Sequence, residues 1–188
     1  MRITPLSLLA VLILSGPGLL PAAGAKDLEL LNFVSMFRNS DGTYEKGYQY
    51  SFGEWQEKRK VAQIPGKGLL VNLAGSKGGL GDNVGLDFTK HTKARITFMI
   101  GNRNVAKSFT FSLVDRDGTD QAFEVSLGGR SIGVETRATV DFTQPTREEK
   151  AGKTPGLDLK KLKSWQLKGN FTTDAVELLF LRVDAVGD

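Results

Sequence analysis

The strongest constraint on how this chain folds is a period of two. In the segment 94–100, Ala94, Ile96, Phe98 and Ile100 alternate with Arg95, Thr97 and Met99. Side chains are separated in that way by a β-strand, whose successive residues point to opposite faces. The segment 108–114 repeats the pattern, with Phe109, Phe111 and Leu113 on one face and Thr110, Ser112 and Val114 on the other. Asp115-Arg116-Asp117-Gly118-Thr119 then supplies an Asp-Gly turn, and 122–127 runs back. These three segments are expected to form an antiparallel meander with one face in the core.

The same reading marks strands at 28–34, at 69–73 (entered through Pro65-Gly66-Lys67-Gly68), at 84–88, and at 133–142, where Val134, Thr136, Ala138 and Val140 are in step. The polar stretch 143–156 carries Pro145, Gly152, Pro155 and Gly156 and reads as a loop. One helical turn is expected in 157–163 and a strand at 164–168. The run 175–184 is apolar on both faces over most of its length and belongs in the middle of a sheet. About eight short strands with two-sided burial imply an all-β fold, a two-sheet antiparallel β-sandwich of jelly-roll type.

Met1-Arg2, the apolar run 6–20 and the small residues Ala23 and Ala25 have the pattern of a signal peptide cleaved after Ala25. Gly16, Pro17, Gly18 and Pro21 interrupt any helix that would serve as an anchor, and no cysteine is present to carry a lipid. The expected organisation is a leader at 1–25, a single β-sandwich domain at 26–188, no membrane span, and a secreted or periplasmic location. The absence of cysteine also excludes disulfides, so an exported domain must draw its stability from its core. A formal charge of +4, with basic residues spread among acidic ones and only the brief cluster Lys160-Lys161-Leu162-Lys163, does not make the concentrated basic face that nucleic acid requires.

Several segments carry a resemblance. Asp87-Phe88, Ile96-Thr97-Phe98, the run from Asn104 to Leu113, Asp115-Arg116-Asp117-Gly118-Thr119, and the stretch 157–169 with Trp165-Gln166-Leu167 together resemble the galactose-binding-like β-sandwich superfamily. Many carbohydrate-binding modules of exported bacterial enzymes belong to it. The resemblance implies a jelly roll, often with a structural calcium ion, and a sugar site on a sheet face or in the loops at one end. This sequence departs from the usual arrangement in standing without an attached glycoside hydrolase.

Catalytic machinery is sparse. His91 is the single histidine and lies in a polar segment ahead of a strand, so it reads as a surface histidine and not as the base of a nucleophilic triad, and a zinc site of histidine and cysteine is excluded. Sugar recognition needs flat aromatic faces together with amides, carboxylates or arginines for the hydroxyls. The segment 44–56 holds all three tyrosines and Trp55. Trp55, Tyr48 and Tyr50 are the candidate platform, with Arg95 and Glu124 as polar ligands projecting from the meander. The opposing reading is that Tyr48, Tyr50 and Phe52, at alternate positions, form one packed face of a strand. Trp165, in step with Leu167, reads as core. A calcium ion would draw on Asp41 and Asp184, although Asn39-Ser40-Asp41-Gly42-Thr43 also has the composition of an ordinary turn.

Three functions follow. The first is an exported, non-catalytic carbohydrate-binding module. The second is a structural or protein-interaction domain at the cell surface, and the third, with least support, is a glycoside-processing enzyme.

Overall fold

The computed structural model describes residues 25–35, 48–56 and 61–187. Residues 1–24 of the expected leader at 1–25, and Asp41 in the turn 39–43, lie outside them.

Ten strands follow one another in the described residues: β1 (Leu28–Asn32), β2 (Tyr50–Gly53), β3 (Val61–Ile64), β4 (Gly68–Asn83), β5 (Lys93–Ile100), β6 (Ser108–Asp115), β7 (Asp120–Ser126), β8 (Thr136–Asp141), β9 (Arg147–Lys150) and β10 (Leu162–Val186). Short 3-10 turns at Glu54–Gln56 and Leu159–Lys161 accompany them, the second at the place where one helical turn is expected. All strand pairs are antiparallel. They form two sheets packed against each other, and β4 and β10 are long enough to run through both.

The front sheet has the order β2-β4-β10-β6-β7-β9. The back sheet uses the other halves of the long strands, with β3 on β4, β5 on β10 and β8 on β5, while β1 pairs with β10 at residues 182–185. The β10–β4 ladder shifts register between Phe171 and Ala175, where the pair passes from one sheet to the other. The segment 175–184 is central, flanked by β5 on one side and by β4 and β1 on the other.

The expected meander is corrected. β5 and β6 are not partners: both edges of β5 are taken by β10 and β8, and both edges of β6 by β10 and β7. The connection 101–107 crosses between the sheets, held by Gly101 N donating to Glu177 O (2.8 Å) and Val105 N donating to Ala175 O (2.9 Å). Packed sheets lie about 10 Å apart, which seven residues span easily. The polar faces of β5 and β6 therefore lie on opposite outer surfaces of the sandwich.

Two further expectations change. Residues 84–88 are not a strand, since β4 ends at Asn83, and the loop 143–156 contains the edge strand β9. β9 forms because β7 has a free edge whose N–H and C=O groups need partners.

The core lies between the inward faces. Trp165, Phe111, Phe142 and Phe88 make a continuous stack, with successive centroids 6.3 Å apart and interplanar angles of 15°, 12° and 16°. Phe109 meets Phe98 and Phe180 edge to face, each at 5.1 Å. Burial of each such ring is worth about 1.5–3 kcal/mol. The β6–β7 turn is fixed by a buried carboxylate: Asp115 accepts from Thr119 N at 2.9 Å and from Asp158 N at 3.1 Å, and Gly118 takes the left-handed φ of 94° that the reversal needs. The turn is thereby tied to the segment that leads into β10.

Candidate ligand-binding face

The outer face of the front sheet is built from two transverse rows that the strand register sets side by side. One row runs Phe52, Gly79, Lys168, Thr110, Glu124 across β2, β4, β10, β6 and β7. The next runs Tyr50, Gly81, Gln166, Ser112, Ala122, Arg147 and reaches β9. With about 4.8 Å between neighbouring strands, five spacings carry the second row roughly 24 Å from Tyr50 to Arg147.

At one end the rows are aromatic. Tyr50 and Phe52 are half-buried, and their rings stack with centroids 6.5 Å apart and planes 28° apart. They rest on glycine. A methyl at Gly79 would lie 2.6 Å from Phe52 Cζ, and one at Gly81 would lie 2.8 Å from Tyr50 Oη. Glycines two apart on one strand face leave room for both rings to lie along the sheet. Gln166 Nε2 donates to Tyr50 Oη at 3.1 Å and fixes the ring's far end.

The other end is ionic. Lys168 Nζ donates to Asp120 Oδ2 at 3.2 Å and also to Glu149, while Arg147 Nη2 donates to Glu149 Oε1 at 2.7 Å. Ser112 Oγ donates to Asp120. Burial pushes the Glu149 carboxyl up, but hydrogen bonds from Lys168 and Arg147, with their charges, outweigh it and hold Glu149 below the usual glutamate range. Glu124 is exposed and pairs with no cation among the described residues. Between the two ends lies a groove of about 660 Å³, floored by Thr110 and Lys168 and bordered by Phe52, Glu124, Arg147 and Asn170. Such a surface offers apolar ring faces at one side and hydrogen-bonding groups of both kinds at the other.

The five candidate ligand residues are dispersed by the fold. Tyr50 and Glu124 share the front face. Trp55 is 1% exposed and Tyr48 8% exposed, so both are core residues here. Trp55 stacks on Phe171 (6.4 Å, 13°) and fills the space above Gly78. The period-two reading of 48, 50 and 52 thus holds for Tyr50 and Phe52, which share an outer face, whereas Tyr48 precedes β2 and turns inward. Trp165 is core, as its spacing predicts.

Arg95 lies on the opposite surface, in a back-sheet groove of about 370 Å³. There its guanidinium is paired with Asp27 at 2.9 Å, Arg137 with Glu135 at 3.3 Å, and Arg182 with Glu29 at 3.1 Å and Asp184 at 2.6 Å. Asp184 is buried against Arg182. Among the described residues no three His, Cys, Asp or Glu side chains are grouped to hold a metal, and no helix is long and apolar enough to cross a membrane. His91 Nε2 lies 3.1 Å from Lys26 O, beside Phe88, and so ties the first described residues to the sandwich.

Thr110 stands on the outward face that alternation marks, as one of the residues able to line a shallow groove, whereas the sequence reading does not mark Lys168 and Arg147 as ligand-face residues. A signal for Lys168 is present: it follows Trp165 and Leu167 on the opposite phase of the strand. Gly79 and Gly81, two apart, mark a close approach of other side chains. Arg147 carries no comparable signal.

No protein-family model matches the chain, and no curated protein does. Its fold is shared with solved structures. It superposes on the family 11 carbohydrate-binding module of a cellulosomal cellulase of Clostridium thermocellum with a TM-score of 0.56 at 14% identity, covering 88% of this chain and 97% of that one. The module from the same organism in complex with a β-1,3-1,4-mixed-linked tetrasaccharide gives 0.55 at 15% identity, with the same coverage. An agarase gives 0.52 at 11% identity, covering 84% of this chain and 26% of that chain. At these identities the likeness establishes the jelly-roll β-sandwich fold.

Proposed function

We propose that this protein is an exported, non-catalytic carbohydrate-binding module, which holds an extended oligo- or polysaccharide across the outer face of the front sheet. The observation that carries the proposal is the pair of transverse rows, aromatic at Tyr50 and Phe52 and polar at Gln166, Thr110, Glu124 and Arg147. A pyranose ring presents an apolar face that stacks on an aromatic plane, and hydroxyls that both donate and accept. Tyr50 and Phe52 supply the plane, Glu124 accepts, and Arg147 donates. The mixed-linked tetrasaccharide complex of the similar family 11 module supports a glycan as the ligand class.

Within the groove, Glu149 supports binding without turnover. Glycoside hydrolysis uses two carboxyl groups, one of them kept protonated by a raised pKa. Glu149 is shifted the opposite way and is committed to Lys168 and Arg147. A protein-contact role draws on one observation: Val105, Ile132 and Val134 are more than half exposed near one end of the sandwich.

The test is a polysaccharide pull-down and glycan-array screen, with Phe52→Ala and Tyr50→Ala as controls. Saturable binding that both variants weaken supports the module. Silence across neutral and acidic glycans from a folded protein refutes it and leaves the protein-contact role.

A further inference from the structure

Arg147 reaches the groove from the least anchored strand of the front sheet. β9 has four residues, all charged and all exposed, and its ladder to β7 shifts register between Asp120 and Gln121. An edge strand of this kind has no apolar face to hold it down. Beside its short backbone ladder to β7 and the bond from Thr146 N to Ala122 O at 2.8 Å, it is held by the ionic chain on the outer face: Arg147 to Glu149, Glu149 to Lys168, Lys168 to Asp120, and Asp120 to Ser112. Lys168 stands on β10, the strand common to both sheets, and its side chain is 14% exposed. Its ammonium bridges two carboxylates from two different strands. Without it, Asp120 would lose its cation and Glu149 would keep only Arg147, and the two carboxylates, like charges in a half-buried setting, would repel.

We infer that Lys168 is the positioning residue of this face: by bridging Asp120 of β7 and Glu149 of β9 it holds β9 against the floor and aims Arg147 at a ligand in the groove. The inference rests on the carbohydrate reading above. Lys168 acts chiefly through Arg147, because two of its three N–H donors are committed to the carboxylates. The effect is directional: losing Lys168 matters to the ligand mainly while Arg147 is there to be aimed.

The experiment is a double-mutant cycle. Wild type, Lys168→Met, Arg147→Ala and the double variant are titrated calorimetrically with a β-1,3-1,4-mixed-linked tetrasaccharide, and amide hydrogen exchange of residues 147–150 is followed without ligand. Lys168→Met is expected to weaken binding about tenfold in the wild-type background and less than about twofold when Arg147 is already alanine, with Lys168→Arg recovering most of the loss. Equal losses in both backgrounds overturn the inference. If Lys168→Met does not fold, Lys168→Met with Glu149→Gln removes the facing charges and takes its place. Exchange at 147–150 is expected to quicken in the Lys168 variant while β8 is unchanged. Unaltered β9 exchange overturns the inference whether or not the glycan binds, whereas quickened exchange with no glycan binding anywhere in the screen refutes only the carbohydrate reading.

Discussion

Replacing Trp55 by alanine separates a structural role for the aromatic segment from a ligand-stacking one. Trp55 is 1% exposed, stacked on Phe171 at 6.4 Å, with its Cδ1 atom 2.8 Å from where a methyl on Gly78 would sit. Truncating a buried tryptophan costs about 3–5 kcal/mol through lost transfer energy and the cavity left behind. Its Nε1–H has no partner among the described residues, a burial that itself costs about 1–3 kcal/mol, so the loss belongs near the lower end, about 3 kcal/mol. With a urea m-value of about 2 kcal/mol/M, the unfolding midpoint falls by about 1.5 M. Trp165, the other tryptophan, remains as the fluorescent reporter. Trp55→Phe keeps a ring against Phe171 and removes the unpaired N–H, so its midpoint stays within about 0.5 M of wild type. A midpoint unchanged in Trp55→Ala, together with lost glycan binding, would refute the buried assignment and return Trp55 to the surface.

Three other outcomes follow from the charges. Burial raises the Asp82 carboxyl despite its hydrogen bond from Gln49 N, so the charged form opposes folding and the stability linked to its protonation is lost as pH rises through that raised value. Asp82→Asn keeps an acceptor for Gln49 and is expected to raise the melting temperature at pH 7, the difference closing in acid by scanning calorimetry. Glu149 has the opposite sign: its stabilising contribution is full above the usual glutamate range and disappears as pH falls through its lowered value. Denaturant midpoints measured from pH 6 to pH 3 should therefore fall further for wild type than for Glu149→Gln. Arg95→Ala, on the back sheet and paired with Asp27, should leave glycan affinity within about twofold by calorimetry, since surface pairs of this kind contribute about 0–1 kcal/mol.

The strands β5 and β6 were legible because alternation over seven residues has one structural meaning, and Trp165 was placed in the core by its step with Leu167. Pairing was less legible. Alternation tells which face of a strand is buried, but it does not tell which neighbour occupies each edge, and the seven residues of 101–107 serve equally for a hairpin or a crossing between sheets. The single long strands β4 and β10 were divided in the reading because glycine and polar residues interrupt them where they leave one sheet for the other. β9 carries four charges and no apolar period, so only the free edge of β7 explains it. On the proposed ligand face, Tyr50 is legible from residue type and Glu124 from its outward place on β7. Trp55 was misleading, because a tryptophan's composition is the same whether its ring faces a sugar or Phe171. Lys168 escaped notice because a lysine on a strand reads as solvated until its two carboxylates are brought from β7 and β9.

The location of the site is tested most directly by amide chemical-shift mapping of the isotopically labelled protein during titration with a glycan that binds. Shifts concentrated at Phe52, Gly79, Gly81, Thr110, Glu124 and Lys168, with Arg95, Thr97 and Arg182 unmoved, are the predicted result. Shifts confined to the back sheet or to the loops 104–107 and 127–134 would contradict it.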